Sequence, residues 1–225
     1  KDKPKERLKI KNCVISEKDR EKGYKAIKKE IDLGHQAYVI CAAIDKGDEE
    51  NIGSFVNYQN VMEYASNLKK YFGEKIKIDI LHGKMKNEDK EKVMREFKNG
   101  DIDILVATTV VEVGVDVPNA TFIMIEDAGA FGLAELHQLR GRVGRGNAQS
   151  FALFVDTMNN DKSKERLNVL NNSTDGFYIA EEDLRLRGPG DIFGVKQSGE
   201  IEFKIGDIYT DIDIFKQAME DAKEN

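Results

Sequence analysis

The sequence predicts an α/β fold: a mostly parallel sheet with helices on both faces, followed by a mainly helical appendage. Three observations carry this. Six short apolar runs alternate with helical patterns up to residue 156, as βα units feeding a parallel sheet do. Runs such as QAYVICAAI and DILVAT are apolar except at their ends, which is how strands buried on both faces read. After residue 156 the strand-like runs give way to helical and glycine-rich stretches. The division is therefore expected at 1–156 and 157–225.

Strands are expected at 8–15, 36–44, 75–82, 103–108, 121–127 and 150–156. Helices are expected at about 17–34, 57–73, 87–99, 109–113 and 132–141. The segment NEDKEKVMREFKN has Asn87 as its expected cap, early acids, and Val93, Met94 and Phe97 as an apolar stripe. Gly100 is placed to end that helix. Residues 44–57 read as a loop. In the appendage, helices are expected at 161–171 and 211–223, around a glycine-rich stretch at 174–206.

A chain of 225 residues can bury roughly 70% of its unfolded surface, so it needs neither disulfide nor metal to fold. Cys13 and Cys41 sit in short apolar runs and read as buried thiols of a reducing compartment. No apolar run approaches the length of a membrane span and no signal-peptide core opens the chain, so a cytoplasmic protein is expected. The net charge of −6 is not the footprint of a self-sufficient DNA binder. Any nucleic-acid contact must be local or shared with another part.

The chemistry concentrates in HQLRGRVGRG (137–146), which holds three of the nine arginines. Were 132–143 one helix, Gln138, Arg142 and Arg145 would share a face. Gly141 and Gly144 weaken such a helix by about 1 kcal/mol each relative to alanine, which suggests a close partner. A polyphosphate fits, because guanidinium groups neutralise the charge developing on a transferring phosphoryl group. A solvated basic helix end is the plainer alternative. Upstream, ATTVVEVGVDVPNA (107–120) follows a strand. Thr108 closes that strand, Gly114 can end a short helix, and Asp116 is an acid able to accept from ribose hydroxyls. An ordinary strand–turn connection is the alternative here. The three histidines, His35, His82 and His137, lack paired ligands and read as structural.

Together, TTVVEVGVDVP and HQLRGRVGRG resemble motifs V and VI of superfamily 2 helicases, in the right order and about twenty residues apart. LHGKMKNEDKEKVMREF (81–97) resembles the stretch that opens the second half of the same motor. DGFYIAEEDLRLRGPGDIFGVKQSG (175–199) resembles the segment shared by RecG-type helicases and transcription-repair coupling translocases, and RGPGD followed by Gln-Ser-Gly is closer to the RecG type. The resemblance implies a RecA-like three-layer domain, the second of two, followed by a helical hairpin. It makes Arg142 and Arg145 arginine fingers and puts Gly114, Asp116 and Gln138 at the nucleotide. It gives Thr108, Arg185, Arg187 and Gln197 to DNA contact and coupling. The implied cofactors are ATP and Mg²⁺. The implied partners are branched DNA (stalled forks and Holliday junctions) and the first RecA-like and wedge domains of a longer, monomeric protein. Two departures stand out. Gly129-Ala130 replace an acid and a base, and Lys196 precedes Gln197 where an arginine is common.

The chain contains no G-x-x-x-x-G-K-[ST] loop to cradle phosphates. The acids of IED (125–127) end a strand without such a loop upstream and read as a sheet terminus. The expectation is therefore a C-terminal motor half, inactive alone, whose arginines face a nucleotide and metal held by the missing half. A translocase that reads RNA polymerase, or a binding module that hydrolyses nothing, are the alternatives.

Overall fold

The computed structural model describes residues 8–42, 52–108 and 116–187, with the side chains of 52–60 and 187 excepted. Six strands form one sheet: β1 (Lys11–Ser16), β2 (Gln36–Cys41), β3 (Ile78–Leu81), β4 (Ile104–Thr108), β5 (Ala120–Ile125) and β6 (Phe151–Asp156). Their order is β1-β6-β5-β2-β4-β3, and every pairing is parallel. The helices are α1 (Arg20–Asp32), α2 (Ile52–Phe72), α3 (Asn87–Asn99), α4 (Leu133–Arg140), α5 (Asp161–Asn172) and α6 (Gly176–Arg187).

The three central strands β2, β4 and β5 are buried at every residue, which is why they read as unbroken apolar runs. Their side chains alternate between two cores. Ala37, Val39, Ile104, Val106, Phe122 and Met124 meet Ile27 of α1 and Val61, Ala65 and Leu68 of α2. Tyr38, Ile40, Leu105, Ala107, Ile123 and Ile125 meet Val93 and Phe97 of α3, Leu133 and Leu136 of α4, Leu167 and Leu170 of α5, and Ile179 of α6. The sheet is thus the middle of three layers, as expected. The helices α5 and α6 belong to the same compact unit as the sheet.

Local chemistry explains where the sequence reading shifts. The expected helix at 17–34 opens as a 3-10 turn (Glu17–Asp19) before α1. Lys86, not Asn87, precedes α3, and Asn87 is its first helical residue. Gly100 ends α3 at φ 86°, a left-handed position that suits a residue without Cβ. Helix α2 starts at Ile52, inside the expected loop. Cys41 is buried but Cys13 is exposed, because β1 is an edge strand. The amide of Asn12 donates to Leu170 O, so α5 covers the opposite face of β1 from Cys13. The expected helices at 109–113 and 211–223 lie outside the described residues. Among those described, no helix is long and apolar enough to cross a membrane.

Candidate functional site: the arginine turn and its supports

Helix α4 carries the arginine segment only as far as Arg140. Arg142 N donates to Leu139 O and Val143 N to Arg140 O, so the chain tightens into i→i+3 turns. Gly144 then turns it at φ 77°. Gln138, Arg142 and Arg145 therefore do not share one helical face, which corrects the expectation. Two of the glycines have close partners within the chain itself. A Cβ at Gly144 would sit 2.9 Å from Ile10 Cγ1, and one at Gly146 would sit 2.5 Å from Pro118 O. Their close partners are the chain's own β1 approach and the segment before β5.

The three arginines divide sharply. Arg140 is 3% exposed. Its Nη1 donates to Leu170 O and Ser173 O at 2.8 and 3.2 Å, and its Nη2 meets His137 Nδ1 at 2.6 Å. It ties α4 to the end of α5 and is structural. Arg145 pairs with Asp116, Nη1 to Oδ1 at 2.5 Å, and its Nε donates to Gly141 O. Arg142 is half-buried beside them. The charges of Arg142, Arg145 and Asp116 all reach the buried hydroxyl of Tyr38. Burial pushes that phenol up to about 12, the two arginines pull it down, and Asp116 pushes it up. The turn and the acid of the upstream motif thus share one neighbourhood.

That neighbourhood lies on the amino-terminal side of β5. Asp116 is four residues before the strand, and Asn119 reaches Gly34 O and Gln36 Oε1 at the start of β2. It is not beyond the carboxyl ends of the strands. Gln138 is exposed on α4. Thr108 is 6% exposed at the end of β4, beside its β2 partner Cys41. Arg185 is exposed and held by Glu182, Nη2 to Oε2 at 2.8 Å. Gly114 and Gln197 lie outside the described residues, as does the side chain of Arg187.

One device escaped the sequence reading. Helix α4 begins after Gly132, which has no side chain to cap it. Asp183 of α6 supplies the cap: its Oδ2 accepts from Leu133 N at 3.0 Å. Its Oδ1 accepts from Arg166 Nε of α5 at 3.1 Å. The other Arg166 nitrogens donate to Gly129 O at 2.8 Å and to Phe131 O. Both ends of α4 are therefore anchored on the α5–α6 pair. Gly129 fits this packing, because a Cβ there would lie 2.9 Å from Ser163 Oγ.

His137 takes part in that anchoring. Burial holds its imidazole below the ordinary 6.5, Arg140 lowers it further, and Asp175 opposes both. The folded state thus binds the proton less tightly than the unfolded state. Stability is full above pH 6.5 and falls as the pH drops from there through the folded value. Urea unfolding between pH 7 and pH 5 should show this slope, and His137→Asn should reduce it, leaving the part due to His82, which burial and then Lys90 and Lys84 also hold low. An unchanged slope would remove His137 as its source.

Residues 34–147 match the family described as helicase conserved C-terminal domain. Residues 173–224 match the family described as ATP-dependent DNA helicase RecG, domain 3, C-terminal. A Bacillus subtilis protein named ATP-dependent DNA helicase RecG is 45% identical over 196 residues, 87% of this chain and 28% of that protein. The structure titled RecG bound to a three-way DNA junction aligns over 95% of this chain and 26% of that one, with TM-score 0.69 and 36% identity. Domain 2 of the DEAD-box helicase Mss116p, bound to an RNA duplex, shares the fold over 72% of this chain and 60% of that one, with TM-score 0.55 and 21% identity. The chain spans less than a third of the length of the RecG relative, at 28%. With the family match extending over half its residues and the RecG-type segment following, the chain belongs to the helicase conserved C-terminal domain family, in its RecG-type form.

Proposed function

We propose that this chain supplies the second RecA-like domain (1–156) and the helical extension (157–225) of an ATP-dependent DNA helicase that remodels branched DNA. The observation that carries the reading is the alignment with junction-bound RecG over 95% of the chain. The chemistry of the arginine turn supports it. Arg142 and Arg145 offer two guanidinium groups for a polyphosphate, and Gly114, Asp116 and Gln138 are assigned to the nucleotide. The Arg145–Asp116 pair is exposed, at 37% and 66% of the side chains, so it can open for a ligand.

ATP supplies the phosphoryl group whose transfer releases the energy of movement, and Mg²⁺ accompanies it. Among the described residues no group of three His, Cys, Asp or Glu side chains converges to hold a metal. The metal is assigned to a first RecA-like domain that carries the phosphate loop G-x-x-x-x-G-K-[ST], the partner that completes the site. Thr108, Arg185, Arg187 and Gln197 are assigned to DNA contact and to coupling. The seat of action is the cytoplasm.

ATP turnover by the complete protein on forked and on linear DNA tests the reading. Turnover should rise more with the fork. Equal rates on both, or none with either, would leave the fold without this task.

A further inference from the structure

A second crevice lies at the opposite end of the sheet from the arginine turn. The chain leaves β2 through α2 on one face toward β3, and leaves β5 through α4 on the other face toward β6. Neighbouring strands whose continuations diverge open a crevice at their carboxyl ends, and parallel α/β sheets bind ligands at such switch points. Here the crevice holds about 320 Å³, and its lining includes Arg20, Tyr24, Tyr64, Asn67, Glu126 and Asp127. That volume is in the range of small-molecule sites. Strand β5, about 20 Å long at ordinary rise, separates it from Asp116.

The polar groups of the crevice are fixed in direction. Glu126, with a side chain 4% exposed, accepts from Arg20 Nε at 2.9 Å and Nη2 at 3.1 Å. Tyr64 donates to Glu126 Oε1 at 2.6 Å. Burial and Glu126 push the Tyr64 phenol well above its ordinary range, so it stays a donor. The Tyr64 proton is thereby used, and the 2.9 Å contact between the two phenols must be donated by Tyr24. The Tyr24 oxygen is left as an acceptor. Asp127 stands at φ 50°, a costly left-handed position for a side chain. Its Oδ1 is held by Thr157 Oγ1 at 2.7 Å, and Oδ2 remains to accept.

Three properties follow for a ligand. Among the described residues that line it, Glu126 neutralises Arg20 and Asp127 adds one negative charge, so phosphate is disfavoured beside them. Asp127 and Tyr24 require donors, while Arg20 Nη1 and the Asn67 amide can serve an acceptor. Tyr24 and Tyr64 bring aromatic rings to the lining, against which a flat ring can lie, and Tyr71 and Phe72, with centroids 5.0 and 6.0 Å from Tyr24, hold the Tyr24 ring in place. We propose that this crevice is a second binding site, for an uncharged nucleoside moiety: a nucleobase with its sugar, presenting amino or hydroxyl donors to Asp127 and Tyr24. The proposal rests on the DNA-motor reading only for the source of that moiety, which is either an unpaired base of a DNA strand or a free nucleoside.

The test is an amide-resolved NMR titration of the 225-residue chain with 2′-deoxyadenosine and 2′-deoxycytidine. Saturable shifts at Tyr24, Tyr64, Asn67 and Asp127 are expected. Asp127→Asn should weaken binding about tenfold, as loss of a charge-assisted hydrogen bond does. Asparagine tolerates the left-handed backbone and keeps an acceptor for Thr157, so the fold should persist. Tyr24→Phe should also weaken binding. Two arms separate the sources. An oligonucleotide with one unpaired adenine, compared with its abasic counterpart, should shift the same residues only when the base is present if DNA is the source. Shifts from the nucleoside alone would assign a free nucleoside. Absence of shifts at millimolar nucleoside would overturn the site. So would argininamide binding there in its place, which would mark a pocket for a basic side chain. Neither result touches the fork test above.

Discussion

Replacing Arg145 with alanine in the complete protein should lower ATP turnover by about 10³-fold, as loss of an arginine finger does. Stability should barely change. Arg145 and Asp116 are exposed at 37% and 66% of their side chains, and pairs at that exposure are worth roughly 0–1 kcal/mol. The two outcomes together isolate chemistry from folding. A fingertip must be free to change partners, and a solvent-screened contact gives that freedom. Lysine at this position should not restore the rate, because a point charge lacks the planar fork that meets two oxygens at once. Steady-state turnover and a thermal melt on the same preparations decide the matter. Turnover near that of the unaltered protein would remove Arg145 from the mechanism. A melt lowered by many degrees would mean that the pair holds the fold.

The fold was legible because its signals are local. The buried strands announce themselves as apolar runs, and α3 announces itself by its stripe and by Gly100. The site was legible only in part. The sequence brings Arg145 and Asp116 into one account through family likeness, and the structure sets them 2.5 Å apart. What pattern could not reveal is long-range. Gly146 is required by Pro118 O, 28 residues earlier in the chain, yet in sequence it looks like one more phosphate-loop glycine. Arg140 reads as a third cation of the same patch, and only tertiary packing makes it a buried tie to Leu170 and Ser173. The switch-point crevice needs residues from α1, α2 and two strand ends, so no spacing encodes it. The acids of IED read as a sheet terminus, but their partner Arg20 lies 106 residues before Glu126.

Asp183→Ala should be the most damaging single change among the anchoring residues of α4, at about 3 kcal/mol. Arg166 and Asp183 have side chains only 12% and 13% exposed, and removing one partner of a buried pair leaves the other charge uncompensated. The same change exposes the start of α4, where Leu133 N loses its acceptor and a cap typically contributes about 1 kcal/mol. For a chain of this size the melting point should fall by roughly 10 °C. Asp183→Asn keeps an acceptor for Leu133 N while discarding the charge, so it should fall between the two. Replacing both Arg166 and Asp183 with apolar residues should recover part of the loss, because neither charge then stays buried alone. A double variant less stable than Asp183→Ala would mean that the Arg166 bonds to Gly129 O and Phe131 O matter more than the ion pair. The distinction bears on function, since α4 runs from that cap directly into Arg142 and Arg145. If the ion pair dominates, the position of the arginine turn depends on a carboxylate of α6. If the carbonyl bonds dominate, it depends on α5, and α6 could shift without moving Arg142 and Arg145.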